Sequence, residues 1–141
     1  KMIHVVNGPN LNLLGRREPA IYGTRTLKDI QEELEELAFC NNEQLSFFQS
    51  NHEGEILDYL QKLKEGERVI INPGALAHAS VSLRDCIVGT GIEAVEVHIS
   101  NISAREAFRQ NSLISPVCRG VISGLGADGY RLALTWFIER E

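Results

Sequence analysis

Five short apolar runs with no polar alternation, at Met2–Val6, Leu45–Phe48, Val69–Ile71, Ala94–Val97 and Gly120–Ile122, constrain this chain more than any other feature. A strand without alternation has both faces buried, which is the condition of a parallel sheet covered by helices on each side. The segments between the runs have the helical period instead. Leu27, Ile30, Leu34 and Leu37 make one face of the first, and Asp29, Glu32, Glu33, Glu35 and Glu36 make a solvated face opposite. A second helix is expected from about Glu53 to Lys64, with Ile56, Leu60 and Leu63 inward. A third is expected over Ser80–Val88, with Val81, Leu83 and Ile87 inward. The last runs from about Tyr130 to Arg140 and carries Leu132, Leu134, Trp136 and Phe137. Strand and helix alternate to the end, so the expected fold is α/β, a three-layer sandwich around a five-stranded parallel sheet.

At 141 residues, 43% hydrophobic and 23% charged, the chain has the size and composition of a single domain, residues 1–141. A net charge of −5 with no Lys/Arg-rich block argues against nucleic acid or an anionic membrane as partner. No apolar run approaches the ~18–20 residues of a membrane span, and Met2–Val6 is too short for the core of a signal peptide, so a cytoplasmic protein is expected. Cys40, Cys86 and Cys118 are odd in number and form no C-x-x-C pair, which fits reduced thiols better than a disulfide framework or a thiolate zinc site. His4 and His52 have no partner at metal-ligand spacing, so no metal is expected.

Residues 8–25 stand apart, because a strand-to-helix connection usually takes roughly 2–6 residues and longer ones are commonly lids or binding loops. Ligands of open α/β sheets sit at the carboxyl ends of the strands. Those ends carry Asn7-Gly-Pro-Asn10, Ser50-Asn-His-Glu53, Asn72-Pro-Gly-Ala-Leu-Ala-His78 and His98-Ile-Ser-Asn101, a polar rim suited to reading hydroxyls and binding a carboxylate. The match of Gly124-Leu-Gly-Ala-Asp-Gly129 to G-x-G-x-x-G is a decoy. Only twelve residues follow Gly129, too few for the second strand and acidic residue of a dinucleotide site, and the glycines read as a tight turn.

Taken singly, the candidate residues have ordinary readings too. Tyr22 in its Gly/Pro-rich loop reads as a packing or surface residue, and Arg16-Arg17 as a solvated pair. His78 could cap the following helix, and Asn72 could be a turn residue. His98 ends a buried strand and is either satisfied by backbone or catalytic. Glu96, two residues earlier on the same face, favours an imidazole oriented by a carboxylate.

Together the segments say more. The run Asn7-Gly-Pro-Asn-Leu-Asn-Leu-Leu-Gly-Arg-Arg-Glu-Pro-Ala-Ile-Tyr22-Gly is followed in order by Gln49-Ser-Asn-His-Glu-Gly54, Asn72-Pro-Gly-Ala, Ser80-Val-Ser-Leu-Arg-Asp85, Glu96-Val-His-Ile-Ser-Asn101, Arg105-Glu-Ala-Phe-Arg109 and Gly126-Ala-Asp-Gly-Tyr130. Over essentially its whole length the chain resembles the type II 3-dehydroquinate dehydratases. The resemblance implies a flavodoxin-like fold, trimers assembled to a dodecamer, and reversible dehydration of 3-dehydroquinate to 3-dehydroshikimate in the shikimate or quinate pathway, through an enolate and with no cofactor. It casts Tyr22 as the base that removes the proton α to the ketone, with Arg17 beside it. Asn10 would hold a water against the enolate, and His98, oriented by Glu96, would protonate the departing hydroxyl. Asn72, His78 and Arg109 would read substrate hydroxyls, while the amides of Ile99 and Ser100 and the Ser100 hydroxyl would take the carboxylate. Asp85 would reach a neighbouring subunit's site. Where the family commonly has Thr-His-Thr-Ser, this chain has Ala77-His78-Ala79-Ser80, which is expected to remove two hydroxyls from the pocket rim.

The residue chemistry agrees with this role. A free phenol, with pKa ~10, is almost entirely protonated at pH 7, and an adjacent guanidinium favours the phenolate. A lysine imine would need a lysine at a strand end, whereas Lys1 is terminal and Lys28, Lys62 and Lys64 lie on polar helix faces. The alternative, a flavodoxin-like binding or signalling module, would want clustered aspartates or a phosphate loop after the first strand, where Asn7-Gly-Pro-Asn stands.

Overall fold

The computed structural model describes residues 2–16 and 18–140. Five strands, β1 (Met2–Asn7), β2 (Gln44–Gln49), β3 (Arg68–Asn72), β4 (Glu93–His98) and β5 (Gly120–Ser123), pair in the order β2-β1-β3-β4-β5, and every pairing is parallel. The helices are α1 (Pro19–Tyr22), α2 (Leu27–Cys40), α3 (Glu53–Gln61), α4 (Val81–Thr90) and α5 (Asp128–Glu139). Thr26 opens α2 with a reciprocal capping box to Asp29, and Ser80 caps α4 by accepting from the Leu83 amide.

The absence of alternation in the strands has its cause in two cores. Val5 and Ile70 pack with Ile30 and Leu34 of α2 and Ala133, Leu134 and Phe137 of α5. The next residues along, Val6 and Ile71, pack on the other face with Ile56 and Leu60 of α3 and Leu83, Cys86 and Ile87 of α4. Each such side chain removed from water contributes roughly 1.5–3 kcal/mol, so the sheet is held from both sides. One expectation for a helix face is corrected. Val81 is 58% exposed, because it opens α4 on the solvent side while Leu83, Cys86 and Ile87 form the inward stripe. Leu132 is also exposed, since the buried stripe of α5 follows Tyr130, Ala133, Leu134 and Phe137.

The strand order reverses direction between β1 and β3, which opens a crevice at their carboxyl ends. The register sets Asn7 level with both Gln49 and Asn72, and His98 level with Ser123, so the polar residues that end all five of these strands form one rim. Two turns interlock there. Gly8 donates its amide to the Asn72 carbonyl at 2.8 Å, and a Cβ on Gly8 would lie 2.3 Å from the Pro73 carbonyl oxygen, so only glycine lets the two turns meet. The connection after β1 is more ordered than its length suggests. It holds a 3₁₀ turn at Leu11–Leu13 and the single turn of α1, and Leu11 and Leu14 are buried in the core.

Candidate active site

A cleft lies over the crevice, lined by Asn10, Tyr22, Asn72, His78, His98, Ile99, Ser100, Arg105 and Arg109 among others. Its floor is a buried chain of hydrogen bonds. The Tyr130 hydroxyl donates to Asn7 Oδ1 at 2.5 Å and accepts from Asn72 Nδ2 at 2.8 Å, while Asn72 Oδ1 accepts from the Gly74 amide at 3.1 Å. Burial raises the Tyr130 phenol, so it stays protonated and its one proton is committed to Asn7. Asn72 is thereby both a turn residue and a side chain of fixed orientation at the cleft.

The wall above β4 carries the acid–base pair. Glu96 is fully buried beneath His98, whose Nε2 is hydrogen bonded to Glu96 Oε2. Two serines complete the carboxylate's shell, Ser112 donating to Oε2 at 2.7 Å and Ser115 to Oε1 at 2.5 Å. Burial alone would raise the Glu96 carboxyl, but the hydrogen bonds from His98, Ser115 and Ser112 together outweigh it and hold the group below the ordinary carboxylate range. The neighbouring Cys118 thiol is pushed up to about 12 by burial and by the Glu96 charge, and stays neutral. The His78 ring stacks at 6.2 Å from that of His98, and its Nδ1 donates to the Asn111 carbonyl at 2.8 Å. It does not cap α4, a role taken by Ser80.

The loop after β4 is pinned from below by the glycine turn. Gly124 and Gly126 donate their amides to the carbonyls of His98 and Ile99, and the Ser123 hydroxyl donates to the Ser100 carbonyl. Gly124 has φ +89°, and a Cβ there would meet the Asn101 Cβ at 2.8 Å. The G-x-G-x-x-G match is therefore a tight turn that shapes the cleft.

Tyr22 reaches the cleft from α1, and its partner there is a residue to which the sequence reading gave no role. Arg105 Nη1 donates to the Tyr22 hydroxyl at 3.1 Å and to Ser100 Oγ at 3.0 Å, with the guanidinium 5.6 Å from the Tyr22 ring centre. The hydrogen bond to Tyr22 leads the influences that raise the Arg105 guanidinium above its ordinary value, so it is a fixed positive charge. Arg105 belongs to the long connection from β4 to β5, and applying the carboxyl-end rule to that whole connection, not only to its first four residues, would have found it. Arg17, assigned by resemblance to a place beside Tyr22, lies outside the described residues.

The other candidates divide. Asn10 lines the cleft with a left-handed backbone, φ +71°, and its amide donates to Asn51 Oδ1 at 2.9 Å. Arg109 lines it too, with Nε 3.1 Å from Glu106 Oε1. Asp85 is exposed on α4, in a separate surface hollow with Leu57, Gln61 and Thr90, and does not join its own chain's cleft. Ala77 and Ala79 are not rim residues as expected. Ala77 is fully buried, and neither is among the cleft's lining residues.

The family model of class II dehydroquinases matches residues 1–138. The chain belongs to that family. It is 55% identical over 140 residues, 98% of this chain and 94% of the relative, to a 3-dehydroquinate dehydratase of Polynucleobacter asymbioticus. It is 51% identical to one of Bacillus pumilus over 95% of this chain and 92% of the relative. The crystal structure of a type II dehydroquinase from Butyrivibrio crossotus superposes with a TM-score of 0.92 at 40% identity, covering 98% of this chain and 97% of that one. As a class II dehydroquinase the chain is a lyase, and the binding-module alternative is not favoured.

Proposed function

We propose that this class II dehydroquinase dehydrates 3-dehydroquinate to 3-dehydroshikimate in the cleft over β1, β3 and β4, with Tyr22 as base and His98 as acid. The observation that carries this reading is the placing of two proton-transfer groups on one cleft, each with a charged partner of the right sign: Arg105 on the Tyr22 oxygen and Glu96 on the His98 Nε2.

Tyr22, its oxygen hydrogen bonded by Arg105 Nη1, takes the proton α to the ketone as base and leaves an enolate. Asn10, through a water, offers a donor where that charge develops. His98, held by Glu96, then gives a proton to the departing β-hydroxyl, and the carbon–oxygen bond breaks as the enolate electrons form the conjugated double bond. The Ile99 and Ser100 amides and the Ser100 hydroxyl take the substrate carboxylate, with Asn72, His78 and Arg109 on the hydroxyls. Arg17 belongs to the same proposal, as does residues 8–25 serving as the flap that brings Tyr22 over the substrate. We assign no cofactor to the reaction. Among the described residues no cluster of three or more His, Cys, Asp or Glu could hold a metal ion.

The same reading proposes a cytoplasmic enzyme built of trimers assembled to a dodecamer, with Asp85 entering a neighbour's cleft. Its exposed place on α4 leaves it free to do so. Asp85→Ala should lower the sedimentation coefficient or raise KM, and a variant unchanged in both would remove Asp85 from the site.

The deciding test is addition of 3-dehydroquinate with the ultraviolet absorbance of the conjugated enone followed. Turnover should persist after exhaustive chelation, and borohydride with substrate should leave the protein's mass unchanged. No absorbance change, or a stable lysine adduct, would overturn the reading.

A further inference from the structure

We propose that the segment Asn111–Ser115 positions both imidazoles of the cleft, and that the hydroxyls of Ser112 and Ser115 act through Glu96 to fix the proton and charge of His98. The catalytic consequence rests on the dehydratase reading. The effect on His98 itself does not.

The segment is irregular up to Ile114, where Ser115 opens a 3₁₀ turn, and it is firmly tied. Leu113 donates its amide to the Ala77 carbonyl at 2.6 Å and accepts at its carbonyl from Arg84 Nη1 at 2.9 Å, and Ile114 is fully buried. From this fixed frame the Asn111 carbonyl takes the proton on His78 Nδ1, which assigns Nε2 of that ring to the cleft. One residue on, Ser112 Oγ accepts from the amides of Ile114 and Ser115, at 3.3 Å each. With both of those groups donating, the serine's single proton is directed to Glu96 Oε2. Ser115 directs its proton to Oε1.

A carboxylate with no solvent contact and three donors has a settled state. Ionised, it can only accept, so it obliges His98 to carry a proton on Nε2 and leaves Nδ1 as the nitrogen that exchanges a proton. The titratable groups around it are His98, Cys118, whose thiol is neutral, and His78 beyond the His98 ring. The residues level with Glu96 on β3 and β5 are Ile71 and Val121, which bring no charge. The hydroxyls are thus what offsets burial of the carboxylate, together with the imidazole itself. Removing one of them raises the carboxyl from its lowered value but leaves it ionised at neutral pH, and with fewer donors sharing its charge the carboxylate holds the imidazolium more tightly. The His98 titration midpoint must then rise, and the imidazolium gives up its proton less readily.

The test is ¹⁵N NMR of the imidazoles across pH in the wild-type protein, Ser115→Ala, the double variant Ser112→Ala/Ser115→Ala, and Ser115→Thr, which keeps the hydroxyl. The midpoint of His98 should rise by at least about half a unit in Ser115→Ala, about threefold in its ionisation constant, and further in the double variant. Ser115→Thr should stay close to wild type. In the dehydratase assay kcat should fall on the order of tenfold with KM little changed, because the acid is weaker, and the alkaline limb of kcat should move to higher pH. An unchanged His98 midpoint and tautomer in Ser115→Ala would overturn the proposal. Should the double variant not fold, that single variant decides alone, since the Ser115 hydroxyl bonds only Glu96 among the described residues. The NMR readout needs no turnover, so a wild-type protein inactive on 3-dehydroquinate would sink the function and leave this inference standing.

Discussion

Replacing Tyr130 by Phe removes one oxygen from the floor of the cleft and tests whether that floor is structural, functional or both. The ring is fully buried and keeps its packing in the variant. Two hydrogen bonds disappear, and Asn7 Oδ1 and one proton of Asn72 Nδ2 lose their partner, in residues only 2% and 3% exposed. At roughly 1–3 kcal/mol for each buried polar group left unsatisfied, less what is recovered by no longer burying the phenol oxygen, the loss should be about 2–4 kcal/mol. That is a large part of the ~5–15 kcal/mol of a typical domain. The assay is urea unfolding at one fixed protein concentration, because self-association shifts the midpoint. pH supplies a second signature. Burial raises the folded phenol above the ordinary 10.0, so its contribution is fully present below that pH and is lost as pH rises toward the folded value. The stability gap between wild type and variant should therefore narrow above pH ~10. Function should respond through KM. Asn72 keeps the Gly74 amide on its Oδ1, so its side chain swings without leaving, and a roughly tenfold rise in KM with a smaller change in kcat is expected. A loss under about 0.5 kcal/mol, with KM unchanged, would refute the idea that the relay holds Asn72 in place.

Three further outcomes are expected. His98→Ala should lose on the order of 10²–10⁴ in turnover while substrate still binds, and near-full turnover would make His98 structural. Arg105→Met should lose on the order of 10–100-fold in kcat/KM and Arg105→Lys distinctly less, since an ammonium keeps the charge but cannot serve Tyr22 and Ser100 with the same planar fork. Equal losses in both variants would show that fork geometry, not charge, is what Arg105 provides. Because the Glu96 carboxyl lies below its ordinary 4.5 in the folded chain, its contribution to stability is present above that pH and lost as pH falls through the folded value. The stability gap between wild type and Glu96→Gln should narrow correspondingly in urea titrations below pH 4.5.

Strands and most helix faces were legible because one-dimensional pattern reports burial directly. Val5 and Val6 are both apolar because they face two different helix layers, and no other arrangement of a short strand demands that. The pairing of Glu96 with His98 was legible for the same reason, since two residues on one strand share a face whatever surrounds them. Val81 misled because at the first turn of a helix the inward side is set by where the chain enters, which apolar spacing does not encode. Arg105 and the serines on Glu96 were illegible for a deeper reason. All three lie in the connection between β4 and β5, where five-residue and nineteen-residue separations, Arg105 to Ser100 and Ser115 to Glu96, are closed by short 3₁₀ turns and irregular chain with no long period to read. Tyr130 is the intermediate case. Its place on the inward stripe of α5 follows from spacing, but a tyrosine there instead of a phenylalanine signals that its oxygen has work at the far end of the ring. Asn7 and Asn72, over a hundred and over fifty positions away, are level on adjacent parallel strands, and only such a register brings both amides to one phenol. A polar atom on an otherwise apolar stripe is thus the sequence's pointer to the site, and the parallel register is what turns the pointer into an address.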